Sequence, residues 1–134
     1  MTVQITIIGL GQIGASIGLA LAEHKELLYR VGHDRDFKIA HQAEKAGVVD
    51  KIENNLPRSV RDAGIVLLSL PMDQVRETLE YIAPDLKEGT VVMDTGPVKD
   101  VVAGWAAELL PEGCHYVGLT PGLNPRYLYS TDAG

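Results

Sequence analysis

Residues 9–14 read GLGQIG, three glycines spaced to turn a backbone toward a diphosphate. The spacing gives each glycine a task. Gly9 permits a tight turn, Gly11 leaves room for a pyrophosphate, and Gly14 lets the following helix close on the preceding strand. Leu10 completes the turn, and the N–H groups of Gln12 and Ile13 face the anion at the positive end of a helix dipole. Such a hexamer gains meaning only between a strand and a helix, with an acidic residue about 20 positions further on. Here Val3, Ile5 and Ile7 alternate with polar neighbours before it. Ile13, Ile17 and Leu21 recur at helical spacing after it, and Asp34 stands twenty residues past Gly14.

Asp34 bears on which dinucleotide fits. Its carboxylate can accept hydrogen bonds from the adenosine ribose hydroxyls of NAD, whereas a 2′-phosphate would place like charges about 4 Å apart. That costs on the order of 1–4 kcal/mol per charge pair at effective dielectrics of 80 to 20. NAD is therefore the expected cofactor and NADP the lesser one. Arg35 could receive a 2′-phosphate, or stand as an ordinary surface residue. Ser16 lies within reach of the pyrophosphate or bonds its own helix backbone.

The elements that must position these residues follow from periodicity. Strands are expected over about 3–8, 28–33, 48–52, 65–70, 90–93 and 116–119. Helices are expected over about 12–24, 36–46, 57–63, 75–82 and 98–109, with Asp36 capping the second and Gly47 ending it. IVLLSL at 65–70 is almost wholly apolar, as in a parallel strand buried on both faces, and Pro71 stops it. Strands alternating with helices predict a doubly wound, mainly parallel α/β sheet of the Rossmann type, with helices on both faces. Ligands of such sheets bind at the carboxyl ends of the strands. Ser69, Leu70 and Pro71 are thus expected to line the cofactor with their backbone, and Thr95 and Gly96 to lie near the nicotinamide. Asp94 is read as a cap on the helix that follows.

Composition narrows the class. With 12 basic and 18 acidic residues in 134, the net charge of −6 carries no basic stripe and argues against a nucleic-acid partner. No apolar run reaches the roughly 20 residues of a membrane span. The single cysteine, Cys114, excludes an internal disulfide and suits a reducing compartment, so a cytoplasmic location is expected. His24 and His41 read as surface residues, His33 as a border of the adenine pocket, and His115 as lying at the far end of the last strand. None pairs with Cys114 at metal-ligand spacing, and no metal is expected. Residues 1–122 are expected to form the dinucleotide-binding domain. Residues 123–134 read as a loop or linker toward a further, C-terminal helical domain.

The ordered stretches IIGLGQIGASIGLAL (7–21), GHDRD (32–36), AGIVLLSLP (63–71), VVMDTGPVKD (91–100) and YVGLTPG (116–122) resemble the NAD-binding domain of the prephenate/arogenate dehydrogenases. The resemblance covers about residues 3–122. It implies an oxidoreductase that decarboxylates prephenate or arogenate oxidatively on the route to tyrosine, with a helical domain completing the pocket and a homodimer. It also implies a substrate-side role for Thr95, Lys99 and Thr120, Lys99 attracting a small anionic substrate's carboxylate. Two positions depart from the pattern. Pro97 stands where the family has a substrate-binding serine, and Thr120 where it has the catalytic histidine, so the catalytic group itself stays unassigned. Other readings are a non-catalytic NAD-binding or sensing domain, and a related dehydrogenase for a different hydroxy acid or amino acid.

Overall fold

The computed structural model describes residues 2–119. The chain runs β1 (Val3–Ile8), α1 (Gln12–Leu21), β2 (Leu28–His33), α2 (Phe37–Lys45), β3 (Lys51–Ile52), α3 (Leu56–Val60), β4 (Ile65–Leu68), α4 (Met72–Ile82), β5 (Val91–Asp94), α5 (Lys99–Leu109) and β6 (His115–Gly118). The six strands form one sheet in the order β3-β2-β1-β4-β5-β6, every pair parallel. This is the doubly wound arrangement expected from the sequence. Its direction reverses between β1 and β4, which opens a crevice at their carboxyl ends.

Alternation within β4 shows why a nearly continuous apolar run suits this position. Val66 and Leu68 pack with Val60 of α3, Val75, Leu79 and Ile82 of α4, and Val102 of α5. Leu67 points the other way, into a second core with Ile5, Ile7, Ala40 and Ala43, flanked by Ile17 and Leu21 of α1. Both faces of the central strands are thereby removed from water. Thr78 lies at the margin of the α4 stripe, with its hydroxyl turned to the Gln74 carbonyl.

Two strands are shorter than periodicity predicts. β3 is two residues long because Val48 closes the end of α2, its N–H donating to the Ala43 carbonyl at 2.9 Å, so Val48 and Val49 are buried in a turn rather than a ladder. β4 ends at Leu68. Ser69 keeps one link to β1, its N–H donating to the Ile8 carbonyl, before the chain swings away.

One side chain in the core carries a charge that periodicity does not reveal. Arg30 of β2 is 1% exposed. Its Nη1 donates to the carbonyls of Gly18, Gly47 and Val48, and its Nε and Nη2 donate to the Asp50 carboxylate. It thus ties α1 and the α2–β3 turn to the sheet. Close packing at this corner is equally strict, since a Cβ on Gly18 would lie 2.4 Å from the Val48 carbonyl oxygen.

Partial burial alone would push the Asp50 carboxyl up. The Arg30 backbone N–H and guanidinium, with a smaller contribution from Lys25, outweigh it and hold Asp50 below its ordinary 3.8. A carboxyl lowered on folding stabilises fully above its unfolded value, and that stability is lost as pH falls through the folded value. Urea midpoints should therefore drop as pH is lowered from 6 through about 4 and below. Asp50→Asn should be less stable at pH 6 and show a flatter dependence.

Candidate functional site

The turn after β1 is built as its glycines demand. Gly9 has φ of 95°, and a Cβ there would meet the Ser69 carbonyl oxygen at 2.1 Å. A Cβ on Gly14 would lie 2.0 Å from the Gly9 carbonyl oxygen, so the first turn of α1 rests directly on the loop. Gly11 differs. No atom of the described residues lies within 4 Å of the place its Cβ would take, which leaves open space above the loop.

Gly11 is also the N-cap of α1, with no side chain to cap it and no acidic residue in the first turn. The first intrahelical bond runs from the Ala15 N–H to the Gly11 carbonyl, so the N–H groups of Gln12, Ile13 and Gly14 have no helical partner. This bare positive helix end beside empty space is a fitting cradle for a diphosphate. Ser16 bonds its own helix backbone. Its hydroxyl donates to the Gln12 carbonyl at 2.8 Å.

Asp34 stands just beyond β2 and joins two loops. Oδ2 accepts the Leu10 N–H and Oδ1 the Asp36 N–H, each at 2.9 Å. Each oxygen keeps a second lone pair, enough to accept from ribose hydroxyls. Leu10 itself contributes backbone, its side chain being buried in the α1–α2 core. His33 Nδ1 pairs with the Glu53 carbonyl at 2.9 Å. A carbonyl only accepts, so Nδ1 carries the proton.

Around these residues lies a cleft of about 470 Å³. Gly9 and Gly11 form its floor, with His33, Asp34, Arg35 and Asp36 on one side and Ser69, Leu70 and Pro71 on the other. It sits at the β1–β4 crevice. Sequence reasoning missed Ile39 of α2, Leu56 of α3, and the α4 face of Gln74, Glu77, Thr78 and Tyr81, which complete the walls. The signal was present in α4, where 74, 78 and 81 share one helical face.

The other half of the candidate set lies apart. Thr95 is 8% exposed, donates from both N–H and hydroxyl to the Leu68 carbonyl, and is not among the cleft residues. Lys99 turns its ammonium to backbone carbonyls at the ends of β5 and β6. Pro97 is exposed between β5 and α5. Asp94 does not cap α5. The N-cap is Val98, without a side-chain bond, because Asp94 Oδ1 bends back to the Gly96 N–H at 3.2 Å. Thr120 and everything after it lie outside the described residues. Among the described residues no three His, Cys, Asp or Glu side chains gather as metal ligands, and no helix is long and apolar enough to cross a membrane.

Comparison with known proteins adds to this geometry. The family described as "Prephenate dehydrogenase, nucleotide-binding domain" matches residues 17–125. That match begins inside α1, past the glycine loop. The chain is similar to a prephenate dehydrogenase of Lactococcus lactis subsp. cremoris, 35% identical over 108 residues, covering 79% of this chain and 30% of that protein. It is also similar to the crystal structure of an arogenate dehydrogenase from Synechocystis. There the TM-score is 0.75 at 27% identity, over 89% of this chain and 42% of the other. A prephenate dehydrogenase from A. aeolicus, solved with hydroxyphenyl propionate and NAD+, shares the fold. Its TM-score is 0.77 at 24% identity, over 87% of this chain and 40% of the other. The chain thus spans about a third of the curated relative's length.

Proposed function

We infer the function from one premise: this chain belongs to the prephenate dehydrogenase family, as its nucleotide-binding domain. It binds NAD in the cleft between β1 and β4 and serves an oxidoreductase that decarboxylates prephenate or arogenate oxidatively. The observation that carries the reading is the space that the described residues leave open over Gly11, faced by N–H groups without helical partners and flanked by Asp34. When bound there, NAD supplies the acceptor for the hydride that the substrate gives up.

The chain's own part is to bind and orient. The N–H groups of Gln12 and Ile13 hold the pyrophosphate, and Asp34 accepts from the adenosine ribose. Leu70, Pro71 and Ile39 give the base apolar walls. Asp34, Asp36 and Glu77 outnumber Arg35 around the cleft, which disfavours a 2′-phosphate. Thr95 and Thr120 are assigned to the nicotinamide and substrate side. Pro97 brings neither hydroxyl nor N–H there, so the substrate's hydrogen bonds come from other residues. A helical domain after residues 123–134, a homodimer through it, and a cytoplasmic location belong to the same proposal.

Calorimetric titration of this chain should show NAD binding at least about fivefold tighter than NADP, the like-charge cost above setting the scale. Equal or tighter NADP would overturn the cofactor assignment. The complete protein given NAD with prephenate or arogenate should form reduced cofactor, and turnover of neither would remove the substrate assignment.

Asp34→Asn is a sharper probe of the same pocket. Both oxygens accept backbone N–H groups, so the asparagine amide must turn a donor toward one of them. The mismatch should cost about 1–3 kcal/mol of stability. It should also weaken NAD while narrowing its advantage over NADP. A variant that binds NAD as tightly as the parent would remove Asp34 from the ribose site.

A further inference from the structure

The carboxyl ends of β5 and β6 meet in a cluster that the cleft does not use. Lys99, the first residue of α5, is half-buried, and its Nζ donates to the Asp94 carbonyl at 2.9 Å and to the Leu119 carbonyl. The Asp94 carbonyl also accepts the Leu119 N–H at 2.8 Å. One carbonyl at the end of β5 therefore holds the chain leaving β6 twice, directly and through the ammonium. The lysine stem runs along Gly118, where a Cβ would stand 3.0 Å from Lys99 Cδ and 3.3 Å from the Tyr116 hydroxyl.

A buried acid and a buried phenol lie beside this contact. The Asp94 carboxylate is fully buried, and its Oδ2 and the Tyr116 hydroxyl have no hydrogen-bond partner among the described residues. Burial pushes the Tyr116 phenol up, and the Asp94 charge adds to it. Lys99 meets the backbone carbonyl of that same aspartate, not its carboxylate. Two of its three donors are then engaged by backbone and are not free for a ligand.

Resting on the dehydrogenase reading above, we propose that Lys99 is a positioning residue, tying the Asp94 and Leu119 carbonyls so that the ends of β5 and β6 form a fixed rim beside the reacting centre. Ligands of a doubly wound sheet react over these strand ends, so a rim that shifts misaligns the donor and acceptor of the hydride. Lys99 acts through backbone and does not grip the substrate.

Two measurements on Lys99→Met test this, with Lys99→Gln in its place should the first fail to fold. Hydrogen exchange at the Leu119 amide should quicken about tenfold, the scale of one lost charge-assisted hydrogen bond, while the Ile7 and Val31 amides stay as they were. In the complete enzyme kcat should fall about tenfold or more with substrate KM nearly unchanged, as misalignment without lost binding requires. The opposite split, raised KM at unchanged kcat, would mean a direct substrate contact and overturn the proposal. Unchanged Leu119 exchange would overturn it as well. If the parent turns over neither substrate, the dehydrogenase reading fails, and the exchange result alone then decides whether Lys99 fixes the rim.

Discussion

Replacing Arg30 with methionine is expected to lower folding stability by about 3–5 kcal/mol, the cost of leaving buried carbonyls without a donor and a partly buried carboxylate without its partner. Against a total of roughly 5–15 kcal/mol for a domain, this is a large share of the stability. The methionine fills most of the volume but leaves the carbonyls of Gly18, Gly47 and Val48 without their donor and Asp50 without its guanidinium. Lysine would not rescue it, because one ammonium cannot match the planar fork that reaches three carbonyls and a carboxylate. Urea unfolding of Arg30→Met, Arg30→Lys and Asp50→Asn measures this. Both arginine variants should lie well below the asparagine variant, and an Arg30→Met protein within about 1 kcal/mol of the parent would refute the structural role.

The second large effect is a separation of binding from folding across the three loop glycines. Gly11→Ala should fold with nearly parental stability, its φ of −71° being open to any residue and its Cβ meeting nothing. It should nonetheless weaken NAD roughly ten- to a hundredfold, since the methyl occupies the approach to the N–H groups and about 1.5–3 kcal/mol rides on each charged hydrogen bond. Gly14→Ala should lose both properties, because its Cβ meets the Gly9 carbonyl oxygen, a backbone atom that cannot move without shifting the loop. Gly9→Ala should do the same, through its positive φ and the Ser69 carbonyl. Calorimetry paired with thermal unfolding reads both quantities. A Gly11→Ala protein that binds NAD normally would place the pyrophosphate elsewhere.

Much of this was legible in residue order because the deciding features are local. The glycine loop, Asp34 and the apolar run of β4 each announce themselves within a few residues. The doubly wound order then follows from strands alternating with helices. What could not be read is what depends on distant neighbours. Arg30 sits in a strand whose pattern gives no hint that Gly18, Gly47, Val48 and Asp50 converge on it. Val48 and Val49 have strand chemistry but serve a turn, since the end of α2 holds Val48 first. Asp94 has the chemistry of a helix cap, yet its carboxylate is taken by Gly96, two residues on. The far wall of the cleft was hidden for a related reason, because Gln74, Thr78 and Tyr81 face it only once α4 is docked.

Asp34 has a consequence for redesigning the coenzyme preference. Swapping that one acid for a small neutral residue, the obvious route to an NADP-dependent variant, would also unfasten Leu10 from one loop and Asp36 from the next. A successful exchange must therefore reinstate two backbone anchors along with the new phosphate contact. Substitutions chosen only by the charge they present to the coenzyme will loosen the pocket they are meant to retune.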